Sequence, residues 1–214
     1  MGHLSVLFRL LTSPNLLLRH LRLYLGLFLY GASIALMVRA NLGASPWDVF
    51  GQGLARSTGL SFGIATVVIS IGVLLLWIPI RQRPGWGTIA NTILVGLAAD
   101  VVLRLLAAPD HLLLQGLMFT AGLLLLAVAT ALYIGAGMGP GPRDGLMTGL
   151  VRLTGWPVWT VRGSIELTVV VVGFLLGGVV GLGTVIFALA IGPLVQQALR
   201  ALHVPLRGSS DGKA

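Results

Sequence analysis

The stretch Asn41-Leu42-Gly43-Ala44-Ser45-Pro46-Trp47-Asp48 has a counterpart, Gly139-Pro140-Gly141-Pro142-Arg143-Asp144, displaced by 96 positions. This pairing decides how the chain is organised, because the same ungapped shift continues well beyond the two aspartates. It aligns Gly26 with Gly122, Gly43 with Gly139, Pro46 with Pro142, Arg56 with Arg152 and Thr58-Gly59 with Thr154-Gly155. Further on, Gly87-Thr88 meets Gly183-Thr184, Gly96 meets Gly192, and Arg104 meets Arg200. From Leu25/Ala121 to Leu105/Ala201 there are 22 identities in 81 pairs, where a chain this rich in Leu, Gly, Ala and Val gives about 7 by chance. The sequence therefore reads as two homologous halves.

Each motif announces a short helix. Ser45 suits an N-cap and Pro46 the first helical position, so Asp48 falls in the first turn, where a carboxylate opposes the helix dipole. Gly141, Pro142 and Asp144 occupy the same places in the second copy. The expected helices are 46–58 and 142–154, each approached through glycines.

Around these motifs the chain is a membrane protein. Of 214 residues, 56% are hydrophobic and 9% are charged, far below the roughly 25% charged of a soluble domain. Apolar runs at 21–40, 61–80, 87–107, 112–134, 157–177 and 183–203 each have about the 20 residues that cross a bilayer as helix. The expected fold is all-α, a polytopic bundle of about six transmembrane helices in two three-helix halves. Residues 1–20 form an N-terminal interfacial segment, 21–107 the first membrane repeat, 112–203 the second, and 204–214 a polar tail. The run at 21–40 has no small-residue cleavage site after it and reads as a retained span. Three spans per half is an odd number, which turns the second half upside down relative to the first. That is the inverted-repeat plan of many transporters.

The formal charge is +8, and 13 of 14 cations are arginine. They stand singly between apolar segments and form no basic run, which argues against nucleic acid and for topology signals and anionic-lipid contacts. With the N-terminus inside, Arg9, Arg19, Arg22, Arg81, Arg83, Arg143, Arg152, Arg162, Arg200, Arg207 and Lys213 fall on the cytoplasmic side, against Arg39, Arg56 and Arg104 outside. Both termini are thus expected in the cytoplasm. The absence of cysteine excludes a disulfide framework and a thiolate site. His3, His20, His111 and His203 are isolated, so the spacing offers no metal cluster or Ser/His dyad. No phosphate-binding or dinucleotide fingerprint occurs. The reading is of no enzyme, cofactor or metal.

Ionisable residues inside spans are costly and often functional. Asp48 and Asp144 are either helix caps or contacts for a substrate, a proton or an arginine of the other half. Arg162 and Glu166, four apart, can neutralise each other, as can Asp100 and Arg104. Glu166, the only glutamate, is a candidate for proton coupling. Arg39 either snorkels to the interface or, with Asn41, presents donors to an anionic group. Asn91 is an interhelical hydrogen bond or a pore-lining amide. The candidate substrate-binding or gating set is Arg39, Asn41, Pro46, Asp48, Asn91, Pro142, Arg143, Asp144 and Glu166. Glycines at four-residue spacing, such as Gly141, Gly145 and Gly149, read as helix packing. The five tryptophans, near span ends, read as an aromatic belt.

Through Arg39-Ala40-Asn41-Leu42-Gly43, Pro46-Trp47-Asp48 and Gly141-Pro142-Arg143-Asp144-Gly145, residues 20–203 resemble the YczE/YitT-type family of bacterial integral membrane proteins, closest to its YczE branch. Ser45 departs from the glycine expected there. The resemblance implies a protein of the bacterial cytoplasmic membrane, names no substrate, and carries Asn41, Gly43, Pro46, Asp48, Gly139, Pro142 and Asp144 over as family positions. The leading functional expectation is a small-solute permease working by alternating access, its two motifs lining opposite approaches to a midplane site. The alternatives are a scaffold or regulator that binds a partner protein, and a substrate-binding subunit of a larger transporter. The expected partners are the lipid bilayer, a small solute, and a second copy or another membrane protein.

Overall fold

The computed structural model describes residues 14–202, so Arg9, His3, His203, Arg207 and Lys213 lie outside the described residues. Those described form eight helices and no strand. They are α1 (Pro14–Ala40), α2 (Pro46–Thr58), α3 (Phe62–Trp77), α4 (Trp86–Leu105), α5 (Leu112–Gly135), α6 (Pro142–Thr154), α7 (Val158–Leu175) and α8 (Leu182–Ala201). Five of them, α1, α4, α5, α7 and α8, are long and apolar enough to cross a membrane, and α2 with α3, bent by 113°, makes a broken sixth. Helices thus cover the six expected runs and both motifs, but α3, with 16 residues, is long enough to cross only together with α2. The first helix begins earlier than the run at 21–40, because 14–20 continues it and brings Arg19 and Arg22 onto its first turns. Large apolar side chains such as Leu112, Leu175 and Leu189 stand about three-quarters exposed around the outside, as lipid-facing positions do.

The centre of the bundle is the crossing of α1 on α5. A Cβ on Gly26 would lie 2.8 Å from the Tyr133 nitrogen and 3.1 Å from the Ala129 oxygen, and one on Gly122 would lie 2.9 Å from the Ser33 oxygen. The early part of each helix meets the late part of the other, so the two run antiparallel in backbone contact. Glycine is what permits that approach in lipid, where close packing rather than hydrophobicity holds helices together.

Contacts then recur at positions 96 apart with their partners exchanged. Gly87 N–H donates to Met138 O at 2.7 Å, and Gly183 N–H donates to Leu42 O at 2.7 Å. Gly43, at φ 109°, presses on Gly181 and Thr184, and Gly139, at φ 121°, presses on Gly85 and Thr88. Both glycines combine a left-handed backbone with no room for a side chain. The cores correspond too: Leu23, Leu27 and Val95 pack around Tyr133 and Ala136, while Phe119, Leu123 and Ile191 pack around Met37 and Ala40. Each short helix ends on a left-handed glycine, Gly59 and Gly155, whose N–H returns to Ala55 O and Val151 O.

Two differences break the correspondence. Trp77 of α3 covers Gly145 of α6, whereas at the matching contact Gly173 of α7 receives Val49 of α2; bulk and gap have changed sides. Helices α3 and α4 pack on each other, but their counterparts α7 and α8 have no comparable contact.

The close packing of α1 against α4 is testable by one substitution at two glycines. Gly31 also faces backbone, with a Cβ falling 2.5 Å from Val95 O, whereas nothing lies within 4 Å of one on Gly72. Gly31→Ala is expected to lower stability by about 1–3 kcal/mol, while Gly72→Ala leaves it unchanged or raises it by about 0.5–1 kcal/mol. Reversible unfolding in detergent micelles checks both.

Candidate functional site

Both short helices start in the interior. Non-helical backbone at that depth needs protein or water around it, and protein groups meet the loops before α2 and α6. Thr184 Oγ accepts from Ala44 N–H at 3.2 Å, and Thr88 Oγ donates to Pro140 O at 2.7 Å. Ser45 caps α2, its Oγ accepting from Asp48 N–H at 3.2 Å while its hydroxyl donates to the Asp48 carboxylate. Gly141 has no side chain to cap α6, and there the Tyr133 hydroxyl donates to Asp144 at 2.7 Å. Trp77 donates its indole N–H to Pro142 O at 3.1 Å, holding the start of α6 against α3.

The two motifs meet. Arg143 lies 3.7 Å from Asp48 Oδ1, and its guanidinium stands 5.2 Å above the Trp47 ring. Asp48 is buried, and its Oδ1 receives no hydrogen bond. Arg143 therefore balances the charge across a gap too wide for a hydrogen bond. The expectation that the motifs line opposite approaches is corrected here: Trp47 and Arg143, at matching positions, are in contact and border the same cavity. Arg143 accordingly stands within the bundle, at the start of α6.

That cavity, of about 360 Å³, lies beside the middle of α1 and α5 and is bordered by Tyr30, Pro46, Trp47, Asp48, Tyr133, Arg143 and Asp144. It continues between α7 and α8 past Arg162, Glu166 and Phe187 to Gln196 and Leu199. Tyr30 and Tyr133 meet edge to face, with ring centroids 5.9 Å apart. Arg162 donates to Glu166 at 2.8 Å, so this pair forms as its spacing implied and both members face the cavity. A smaller cavity of about 40 Å³ lies on the other side of Arg143 and Asp144, against Thr66, Ser70, Asn91, Val95 and Pro142. Volumes of several hundred Å³ suit small metabolites.

Seven of the nine candidate residues are thus brought together: Pro46, Asp48, Arg143, Asp144 and Glu166 at the large cavity, Asn91 and Pro142 at the small one. Arg39 and Asn41 stand apart, at the C-terminal end of α1. Arg39 does not snorkel; it donates to Leu103 O at the end of α4. The expected Asp100 and Arg104 pair does not form. Asp100 instead accepts from the Ser61 hydroxyl and, at 2.7 Å, from Gly63 N–H. Trp77 leaves the aromatic belt for the interior and Trp47, half-buried, for the edge of the cavity, while Trp86, Trp156 and Trp159 are exposed. Sequence reasoning missed Tyr30, Tyr133 and Trp77. The signal was present for the tyrosines, since all three in the chain fall inside apolar runs.

Arg143→Gln leaves the Asp48 carboxylate buried with no cation near it and is expected to cost roughly 1–3 kcal/mol. Adding Asp48→Asn removes the stranded charge, so the double variant is expected to be more stable than Arg143→Gln alone. Thermal unfolding of the four proteins completes the cycle.

Comparison with known proteins agrees on the family and gives no activity. An uncharacterized protein of Haemophilus influenzae is 40% identical over 187 residues, covering 86% of each chain. The uncharacterized membrane protein YczE of Bacillus subtilis is 31% identical over 189 residues, 86% of this chain and 87% of its own. The uncharacterized protein YyaS of Bacillus subtilis is 25% identical over 166 residues, 76% of this chain and 83% of its own. No solved structure matches. Residues 17–200 match the model of a family of unknown function, DUF6198, and with YczE as a relative over most of its length the chain belongs to that family of membrane proteins.

Proposed function

We propose that the protein is a small-solute transporter of the bacterial cytoplasmic membrane, built as a three-plus-three inverted repeat and working by alternating access around Asp48, Arg143 and Asp144. The observation that carries this reading is that matching positions line two cavities of unequal size. On the α7 and α8 side, Arg162, Glu166, Phe187 and Ile191 border about 360 Å³. At the positions 96 earlier, Thr66, Ser70, Asn91 and Val95 border about 40 Å³.

The small side is latched. Asp100 of α4 holds the start of α3 through Ser61 and Gly63. There Gly63 and Gly96 are so close that a Cβ on Gly96 would lie 2.4 Å from Gly63 O. On the open side the counterparts are Pro157, Trp159 and Gln196, and nothing lies within 4 Å of a Cβ on Gly192. Equivalent helices that pack on one side and part on the other are what rocking between two inverted halves produces. The antiparallel crossing of α1 and α5 supports the inversion, because a two-fold axis relating antiparallel spans lies in the membrane plane. The arginine bias favours α1 entering from the cytoplasm, which makes the large cavity open inward.

The charged groups that border the cavity leave one carboxylate in excess, Asp48, Asp144 and Glu166 against Arg143 and Arg162. Asp48 Oδ1 has no donor, and Asp144 receives the Tyr133 hydroxyl but has no cation within 4 Å among the described residues. A small polar solute carrying an ammonium or other N–H donors suits it best. Both helix N-termini already face a carboxylate of their own.

Proteoliposomes loaded with a mixture of small metabolites test this, with Asp144→Asn as the inactive comparison. At least one amine-bearing solute is expected to leave faster through the wild type. The cysteine-free chain also allows single cysteines at Gln196 and Asn91 to report access to an impermeant thiol reagent. Gln196→Cys is expected to react faster than Asn91→Cys, and Asp100→Ala, by releasing the latch, is expected to reduce that difference severalfold. No solute moving faster than with Asp144→Asn, together with reactivities that Asp100→Ala leaves unchanged, rejects transport.

A further inference from the structure

A second cavity of about 360 Å³ opens where α1 ends, and its chemistry is opposite to that of the central one. Two arginines, Arg39 and Arg56, border it together with the amides of Asn41, Gln52 and Gln115, and among the described residues no carboxylate does. Neither arginine has an acidic partner within 4 Å among the described residues. Each is nevertheless fixed in place: Arg39 donates one N–H to Leu103 O, and Arg56 donates one to Gly177 O at 2.5 Å. A guanidinium has five N–H donors, so most remain unused. Arg39 Nε is buried with no hydrogen-bond partner at all, a state that costs free energy unless something absent from the chain itself completes it. Gln52 is buried and accepts Val179 N–H at 3.3 Å through its carbonyl, which leaves its NH2 group to donate.

The opposite end of the bundle shows what a completed version looks like. The positions matching Arg39 and Asn41 are Gly135 and Gly137, and Arg19 of α1 covers that end, donating to Ala136 O at 2.8 Å and Gly137 O at 2.9 Å. Arg152, which matches Arg56, donates to Ile80 O at 2.8 Å. Arg56 and Arg152 thus each meet one carbonyl, but Arg19 meets two where Arg39 meets one. At the Arg39 end two cations and three amides converge on a space that no acidic side chain fills.

We propose that this cavity binds an oxyanion, a phosphate or phosphate ester, held between the guanidinium groups of Arg39 and Arg56 with amide donors from Asn41 and Gln52. Arginine suits this because its fork of donors matches two oxygens of one phosphate. The site lies at a helix end, where either a free anion or the headgroup of an anionic lipid can supply that chemistry. It does not depend on transport through the central cavity.

The full chain in phosphatidylcholine nanodiscs is titrated with inorganic phosphate, against chloride at equal ionic strength, while thermal unfolding is followed. A parallel series replaces part of the lipid by phosphatidylglycerol. The wild type is expected to be stabilised in one series, and Arg39→Gln and Arg56→Gln are each expected to raise the concentration needed by roughly tenfold. Stabilisation by phosphate identifies a free anion as the occupant; stabilisation by phosphatidylglycerol alone identifies a lipid headgroup. Arg56 is exposed, so its variant tests the site even where loss of the Arg39 contact to α4 prevents folding. No stabilisation in either series, or a stabilisation that Arg56→Gln leaves intact, overturns the proposal.

Discussion

The antiparallel contact of α1 with α5 is the constraint on which the other positions depend. Gly26 and Gly122 let the two backbones touch, and in a bilayer, where lipid is as apolar as leucine, such contact area is the main source of helix association. Once these helices are fixed, α4 packs along α1 and α8 along α5. Tyr30 and Tyr133 then stand against each other beside the middle of the bundle. A side chain at either glycine forces the helices apart and removes the wall against which the cavity is built.

The second constraint is electrostatic. Two helices that begin inside the bundle expose unpaired backbone N–H groups there, and the chain answers with a carboxylate in the first turn of each. Those carboxylates must in turn be matched, and the two halves do so differently. Asp48 faces the guanidinium of Arg143, contributed by the other motif, whereas Asp144 is held by a tyrosine hydroxyl. This unequal treatment of two equivalent positions leaves hydrogen-bonding capacity unspent at the centre, which a purely structural pair has no reason to retain.

Arginines follow a parallel logic. Arg19, Arg39, Arg56 and Arg152 each donate to a carbonyl near the end of another helix or in the turn that follows it. There the last carbonyls lack partners and the dipole favours a cation. Only Arg143 and Arg162 face carboxylates within 4 Å among the described residues, and both border the central cavity. A count of cations by loop treats all of these alike. Position relative to a short interior helix separates them.

Sequence alone determined the class of fold, the helices and the two motifs, because run length, the Ser-Pro and Gly-Pro starts, and identities at a fixed spacing are local properties. It also placed Arg162 where it can reach Glu166, since residues four apart on a helix are neighbours, although the same spacing did not pair Asp100 with Arg104. Tertiary structure decided what no local rule carries. Asp100 chose Ser61 and Gly63 over the nearer Arg104, Trp77 left the interface to cover Gly145, and Trp47 met Arg143 across the bundle. Each of these depends on which helix faces which. That was settled by backbone contact at glycines, whose lack of a side chain leaves no apolar or charged pattern to read.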